Sequence, residues 1–114
     1  MERLHVLFVC GKNQWRSPTG ETIYQNDQRL AVRSAGVSEK ARRCVRRADL
    51  EWADLVFVME GDQGAKLVQR FRGELVEMPE IVNLEIPDLY TYMDPELVDL
   101  IEGGVETELE GWLG

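Results

Sequence analysis

Val6-Leu7-Phe8-Val9 runs directly into the polar segment Cys10-Gly11-Lys12-Asn13-Gln14-Trp15-Arg16-Ser17-Pro18, and this junction restricts the fold more than any other stretch of the chain. The mostly apolar residues from Leu4 to Val9 suit a buried strand. Ser17-Pro18 is a helix-start signal, a capping hydroxyl followed by a residue whose fixed φ suits the first helical turn. Strand, loop and helix in that order place Cys10 at one end of a short polar loop and Arg16 at the other.

The rest of the chain repeats the alternation. Residues 18–28 read as a helix, and residues 30–34 as a short strand stopped by Ala35-Gly36. Residues 39–47 are strongly charged, with Arg42, Arg43, Arg46 and Arg47 expected on a loop leading into a second helix that ends near Trp52-Ala53; a solvated face is their plain reading. Leu55-Val56-Phe57-Val58-Met59 is a continuous apolar run of strand length, as a central parallel strand reads. Residues 63–71 form a helical pattern closed by Arg72-Gly73, and residues 75–86 supply one strand with an interruption at Pro79. Asp94-Pro95 starts a last helix carrying Leu97, Val98, Ile101, Val105, Leu109 and Trp112, with a bend or early end expected at Gly103-Gly104. Strands alternating with helices predict an α/β domain with a parallel sheet, whose ligands gather beyond the carboxyl ends of the strands. The first loop and the segment after Ile86 both lie at that edge.

At 114 residues with 44% hydrophobic content, the chain suits one domain, residues 1–114, with a single core covered by helices. A net charge of -8 argues against general binding of nucleic acid. That charge is uneven: residues 1–57 carry +3 and residues 58–114 carry -11, so the loop lies in the positive half. Met1-Glu2-Arg3 leads into too few apolar residues for a membrane span and does not resemble a signal peptide, which makes the cytoplasm the expected location. Cys10 and Cys44 make neither a disulfide framework nor a zinc site by spacing.

A loop turning from a strand into a helix can aim successive backbone N–H groups inward as an anion nest, reinforced by the positive end of the helix. Gly11, Lys12, Asn13, Gln14, Trp15, Arg16 and Ser17 are then the phosphate-binding candidates. Such surroundings favour the thiolate form of cysteines in general, and the thiolate is the nucleophile. The planar guanidinium of Arg16 suits two oxygens of a phosphoryl group at once. The Gly-Lys-Ser/Thr ending of a nucleotide-binding Walker loop is absent.

Val-Leu-Phe-Val-Cys-x5-Arg-Ser-Pro, followed by Ser34-Ala35-Gly36, Ala53-Asp54-Leu55-Val56-Phe57-Val58-Met59 and Ile86-Pro87-Asp88, resembles the low-molecular-weight protein tyrosine phosphatase family, most of all a compact bacterial branch. The resemblance implies a three-layer α/β/α fold around a central four-stranded parallel sheet, flavodoxin-like in arrangement. It implies hydrolysis of a phosphomonoester, a phosphorylated protein or small phosphoester, with Cys10 as nucleophile, Arg16 binding the equatorial oxygens and an aspartic acid protonating the leaving group. It assigns Ser17 to the thiolate and Asn13, through Ser34, to the loop backbone, and it calls for no metal or other cofactor. Asp88 is the favoured acid by placement. Asp94 is the alternative, since it has the following proline, although Asp94-Pro95 also reads as a helix start. Tyr90 and Tyr92 are candidates for the wall of an aromatic cleft.

The loop interior departs from the family. Trp15 stands where many members have a second cysteine, and Gly11-Lys12 replaces a bulky-apolar and glycine pair, which raises the question of positive φ at residue 12. Arsenate reductases share the fold and the anion loop, with Cys44 as the one thiol available for a relay. A non-catalytic phosphate- or phosphopeptide-binding module and a cysteine phosphocarrier are the further alternatives, and the residues leave the substrate and the oligomeric state open.

Overall fold

The computed structural model describes residues 2–114, so Met1, with which the N-terminal reading opens, lies outside the described residues. Four strands, β1 (Leu4–Cys10), β2 (Leu30–Gly36), β3 (Leu55–Val58) and β4 (Glu80–Asn83), form one parallel sheet in the order β2-β1-β3-β4. Helices α1 (Arg16–Tyr24), α2 (Arg47–Trp52), α3 (Gly61–Phe71) and α4 (Pro95–Leu113) cover it. The expected α/β sheet of four parallel strands is therefore the observed one. None of these helices is long and apolar enough to cross a membrane.

Alternation along β1 explains why the sheet is buried on both faces. Val6, Phe8 and Cys10 enter one core with Tyr24 of α1 and Leu97, Ile101, Val105 and Leu109 of α4. Leu7 and Val9 point the other way, into a core with Leu50, Leu67 and Phe71. Phe8 stacks on Phe57 and Tyr24 at ring separations of 5.6 and 6.1 Å, which fixes the strand one residue pair before the loop begins.

Several details differ from the sequence expectation. Strand β2 continues through Ala35-Gly36, which pair with Val9 and Cys10, and α1 ends at Tyr24, not residue 28. Helix α1 starts at Arg16, not Pro18, and Ser17 lies inside its first turn, where it caps nothing; Pro18 sits where an intrahelical N–H donor is not required. Only residues 80–83 of the 75–86 segment pair as a strand, because Pro79 offers no N–H and the preceding stretch is irregular. Helix α4 runs unbroken for 19 residues through Gly103-Gly104. A Cβ at residue 104 would stand 2.6 Å from Leu84 Cδ2, so the glycine lets the helix close on that side chain.

The arginine group is more than a solvated face. Asp49, 2% exposed, accepts from Arg43 at 2.7 Å, from Arg33 at 3.3 Å and from the Arg46 amide at 2.9 Å. Burial alone would raise its pKa, but the hydrogen bonds from Arg43 and the Arg46 backbone outweigh that and hold the carboxyl below the usual range. Its stabilising contribution is therefore complete above the unfolded value of about 3.9 and is lost as pH falls through the lower folded value. We expect Asp49→Asn to lower stability at neutral pH by about 2 kcal/mol, roughly 10 °C in Tm. Thermal melts compared at pH 7 and pH 3 check this, the difference between the proteins shrinking at the lower pH.

Candidate active site

Parallel strands bring their carboxyl ends to one edge of the sheet, and the segments that leave β1, β2, β3 and β4 meet there. The β1–α1 loop is held from outside by the segment that follows β2. The amides of Val37 and Ser38 donate to the carbonyls of Cys10 and Gly11 at 3.0 and 2.9 Å, and the amide of Arg42 donates to Lys12 at 3.0 Å. The Arg42 side chain adds a bond from Nε to the Asn13 carbonyl at 3.1 Å. Four successive carbonyls thus face away from the loop's interior. Among the described residues, the amides from Lys12 to Trp15 donate to nothing in the chain. These amides, with the start of α1, are what an anion nest requires.

Asn13 carries the left-handed turn of the loop, at φ 56°, and Lys12 does not have a positive φ. The question raised by the Gly-Lys replacement is thereby answered, since asparagine is among the residues that tolerate this region best. The Asn13 side chain is fully buried beneath the loop, where Nδ2 donates to Ser17 Oγ at 2.8 Å and to Ser34 Oγ at 3.1 Å. Ser34 in turn donates to Glu21 at 2.6 Å. Ser17 Oγ stands 3.0 Å from Cys10 Sγ. The side chains of Asn13, Ser17 and Ser34 therefore lie behind the loop as its support, the places that the family resemblance implies for them, and any phosphate contact of Asn13 or Ser17 falls to the backbone amide.

In front of the loop is a cavity of ≈ 290 Å³ lined by Cys10, Gly11, Lys12, Gln14, Trp15, Arg16, Ser38 and Asp88. Arg16 is 4% exposed and fixed along one edge, where Nη1 donates to the Glu60 carboxylate and, at 2.8 Å, to the Ile86 carbonyl. Those bonds leave the Nε and Nη2 edge for an oxyanion, the geometry in which a guanidinium grips two oxygens. Asp88 Oδ1 is 3.6 Å from Arg16 Nε, on an exposed carboxylate. Its segment is pinned to α1, the Met93 amide donating to Thr19 Oγ1 at 2.9 Å.

Asp94 is elsewhere. It is the N-cap of α4 and accepts from the Glu96 amide at 2.9 Å. Tyr90 packs on the core, and Tyr92 meets Thr22 Oγ1 at 2.6 Å, so neither walls the Cys10 cavity; its one aromatic side chain is Trp15. Two residues the sequence reading missed are Glu60, which orients Arg16, and Ser38, which lines the cavity. Each follows a strand of the parallel sheet closely, and that position at the shared edge was the available signal.

Cys44 pairs with Gly36 as a parallel bridge, and Gly36 is the ladder partner of Cys10. Two strand spacings, roughly 9.6 Å between backbones, separate the two cysteines, beyond the reach of a disulfide without backbone movement. The Cys44 sulfur instead faces the carbonyls of Ser38, Glu39 and Ala41 at 3.5 to 3.8 Å. Among the described residues no group of three His, Cys, Asp or Glu side chains is arranged to hold a metal ion.

Gly36 is where loop and support come closest. A Cβ there would lie 2.6 Å from the Gly11 carbonyl oxygen, 2.6 Å from Ala41 Cβ and 3.0 Å from the Asn13 amide nitrogen. Gly36→Ala is expected to push the loop off its support, at about 1–3 kcal/mol of stability, with phosphate affinity falling more than the melting temperature alone accounts for. Thermal melts and calorimetric titration with inorganic phosphate check the two effects.

No family model matches the chain, and no curated protein matches it. Solved structures do. YfkJ from Bacillus subtilis superposes with a TM-score of 0.70 at 22% identity, over 97% of this chain and 95% of that one. A low molecular weight phosphotyrosine phosphatase from Vibrio cholerae gives 0.70 at 24% identity, over 96% and 97%. The YwlE arginine phosphatase from Geobacillus stearothermophilus gives 0.67 at 22% identity, over 95% and 94%. Over almost its whole length the chain has the fold of the bacterial low molecular weight protein tyrosine phosphatases.

Proposed function

We infer that the protein is a cysteine-dependent phosphatase that hydrolyses phosphomonoesters, with phosphotyrosine on a protein as the favoured substrate. The observation that carries this reading is the convergence of Cys10, Arg16 and Asp88 on one cavity, with Ser17 3.0 Å from the cysteine sulfur. The fold shared with phosphatases supports it. Cys10 Sγ attacks phosphorus, the bond to the leaving oxygen breaks, and Asp88 gives that oxygen its proton. The loop amides and the Nε and Nη2 edge of Arg16 hold the three equatorial oxygens as charge redistributes. In the second step Asp88 takes a proton from water, water attacks phosphorus, and the S–P bond breaks to release phosphate and the thiolate, to which Ser17 donates.

The wild-type protein is expected to hydrolyse an aryl phosphate in the presence of a chelator between pH 5 and 7. Phosphate binding without turnover would select the non-catalytic binding module instead. Oxidation of thioredoxin or glutaredoxin driven by arsenate would select the reductase, which the separation of Cys10 and Cys44 disfavours.

Asp88 is the acid in this reading, because Asp94 is committed to capping α4. Asp88→Asn is expected to lower kcat by about 10²–10⁴ on esters with poor leaving groups and by much less on those with good ones. Asp94→Asn is expected to cost no more than about 1 kcal/mol of stability, with little change in kcat. Rates across a series of aryl phosphates of graded leaving-group pKa separate the two; a steeper dependence for Asp94→Asn would reassign the acid.

A further inference from the structure

A second cavity, ≈ 590 Å³, opens on the other side of Trp15, over the first turns of α1. Gln14 and Trp15 border both cavities, so the exposed indole is a partition between them. The second one holds none of the reacting groups. Its walls are nevertheless fixed: Pro18 is buried in α1, Tyr92 is bonded to Thr22, and Arg42 is anchored through Nε to the Asn13 carbonyl. The two terminal nitrogens of Arg42 have no partner among the described residues, and Glu21, the carboxylate that also lines this cavity, accepts from Ser34. A cation with free donors thus stands beside two aromatic faces, Trp15 at 41% and Tyr92 at 47% exposure, within a rim otherwise made of Gln14, Thr22 and Gln25. Apolar rings kept rigid and half in water, next to unused donors, are suited to a segment that brings both an apolar side chain and a backbone carbonyl.

We propose that this second cavity is a subsite for the residue next to the phosphorylated one in a polypeptide substrate. An apolar side chain of that residue lies against Trp15, Pro18 and Tyr92, and Arg42 donates to the neighbouring backbone carbonyl. Adjacent residues of an extended segment direct their side chains to opposite sides. A chain crossing the rim at Trp15 therefore lowers the phosphorylated side chain into the Cys10 cavity and its neighbour into the other. A free phosphoester fills only the first. The proposal rests on the phosphatase reading of the first cavity and adds a preference within its substrate class, an apolar residue beside the phosphorylated one.

The test is calorimetric binding to the Cys10→Ser protein, which reads recognition without turnover. Two sets of phosphotyrosine peptides are compared, one with leucine beside the phosphotyrosine on either side in turn, the other with glycine at those places. On one side of the phosphotyrosine, the leucine peptide is expected to bind about tenfold tighter than its glycine counterpart. Gln25→Trp, added at the exposed end of α1 to fill the second cavity, is expected to abolish that ratio. Equal affinities for leucine and glycine peptides, or a ratio that survives Gln25→Trp, would overturn the subsite while leaving the phosphatase reading intact. Wild-type protein that turns over no aryl phosphate would overturn the phosphatase reading, and failure of every peptide to bind would overturn the subsite as well.

Discussion

Cys10→Ser is expected to lower the turnover of an aryl phosphate by at least about 10⁴-fold, because a serine hydroxyl is not ionised near neutral pH and no other thiol lines the cavity. Binding of inorganic phosphate should persist in the same variant. The loop amides and Arg16, which hold the anion in the proposed reading, are positioned by bonds that do not involve the thiol: Val37, Ser38 and Arg42 hold the carbonyls, and Glu60 and Ile86 hold the guanidinium. Steady-state rates and a phosphate titration of the same preparation check the two halves together. Turnover retained in Cys10→Ser would remove the cysteine from the chemistry and with it the covalent intermediate.

Arg16→Lys keeps the charge and should still lower kcat/KM by about 10³-fold or more. A single lost donor to a developing oxyanion costs about 10²–10³ in rate, and lysine replaces a two-pronged edge with one point charge. The structure adds a second reason. Arg16 reaches Glu60 and the Ile86 carbonyl with one nitrogen while keeping Nε and Nη2 for the cavity, and an ammonium cannot serve both sides at once. Near-normal activity in Arg16→Lys would mean that the loop amides alone carry the charge. Thermal melts of the variant separate loss of catalysis from loss of folding, since breaking the buried contacts of Arg16 also lowers stability.

Much of this site was legible because it is local. The run from Val6 to Val9, the polar loop and the arginine before Ser17-Pro18 are contiguous, so a strand period followed by helix-start residues places Cys10 and Arg16 without knowledge of the rest. The same cue misled over Ser17: a serine before proline reads as a cap, but here the helix has already begun and the hydroxyl serves the sulfur. Glu60 and Ser38 were illegible for the opposite reason. Their positions follow from the order β2-β1-β3-β4, which sets the ends of β2 and β3 on either side of Cys10, and no spacing along the chain encodes that order. Residue 12 was read as a backbone problem because a glycine was expected there, while the left-handed turn falls one residue later, at Asn13. The tyrosines were placed by proximity in sequence to Asp88, and packing against the core and α1 decides otherwise.

The outward bonds of the loop are almost all made by main-chain groups: the carbonyls of Cys10, Gly11 and Lys12 meet the amides of Val37, Ser38 and Arg42, and only Asn13 is met by a side chain. The shape of the cradle is consequently written in one set of atoms and its lining in another. Gly11, Lys12, Gln14 and Trp15 line the cavity without taking part with their side chains in the bonds that shape the loop. A loop of this construction, the anion cradle of the proposed reading, can be re-lined residue by residue while its curvature stays the same. That separation accounts for a loop whose frame is familiar and whose interior is not, and it makes the interior the place where selectivity is free to change.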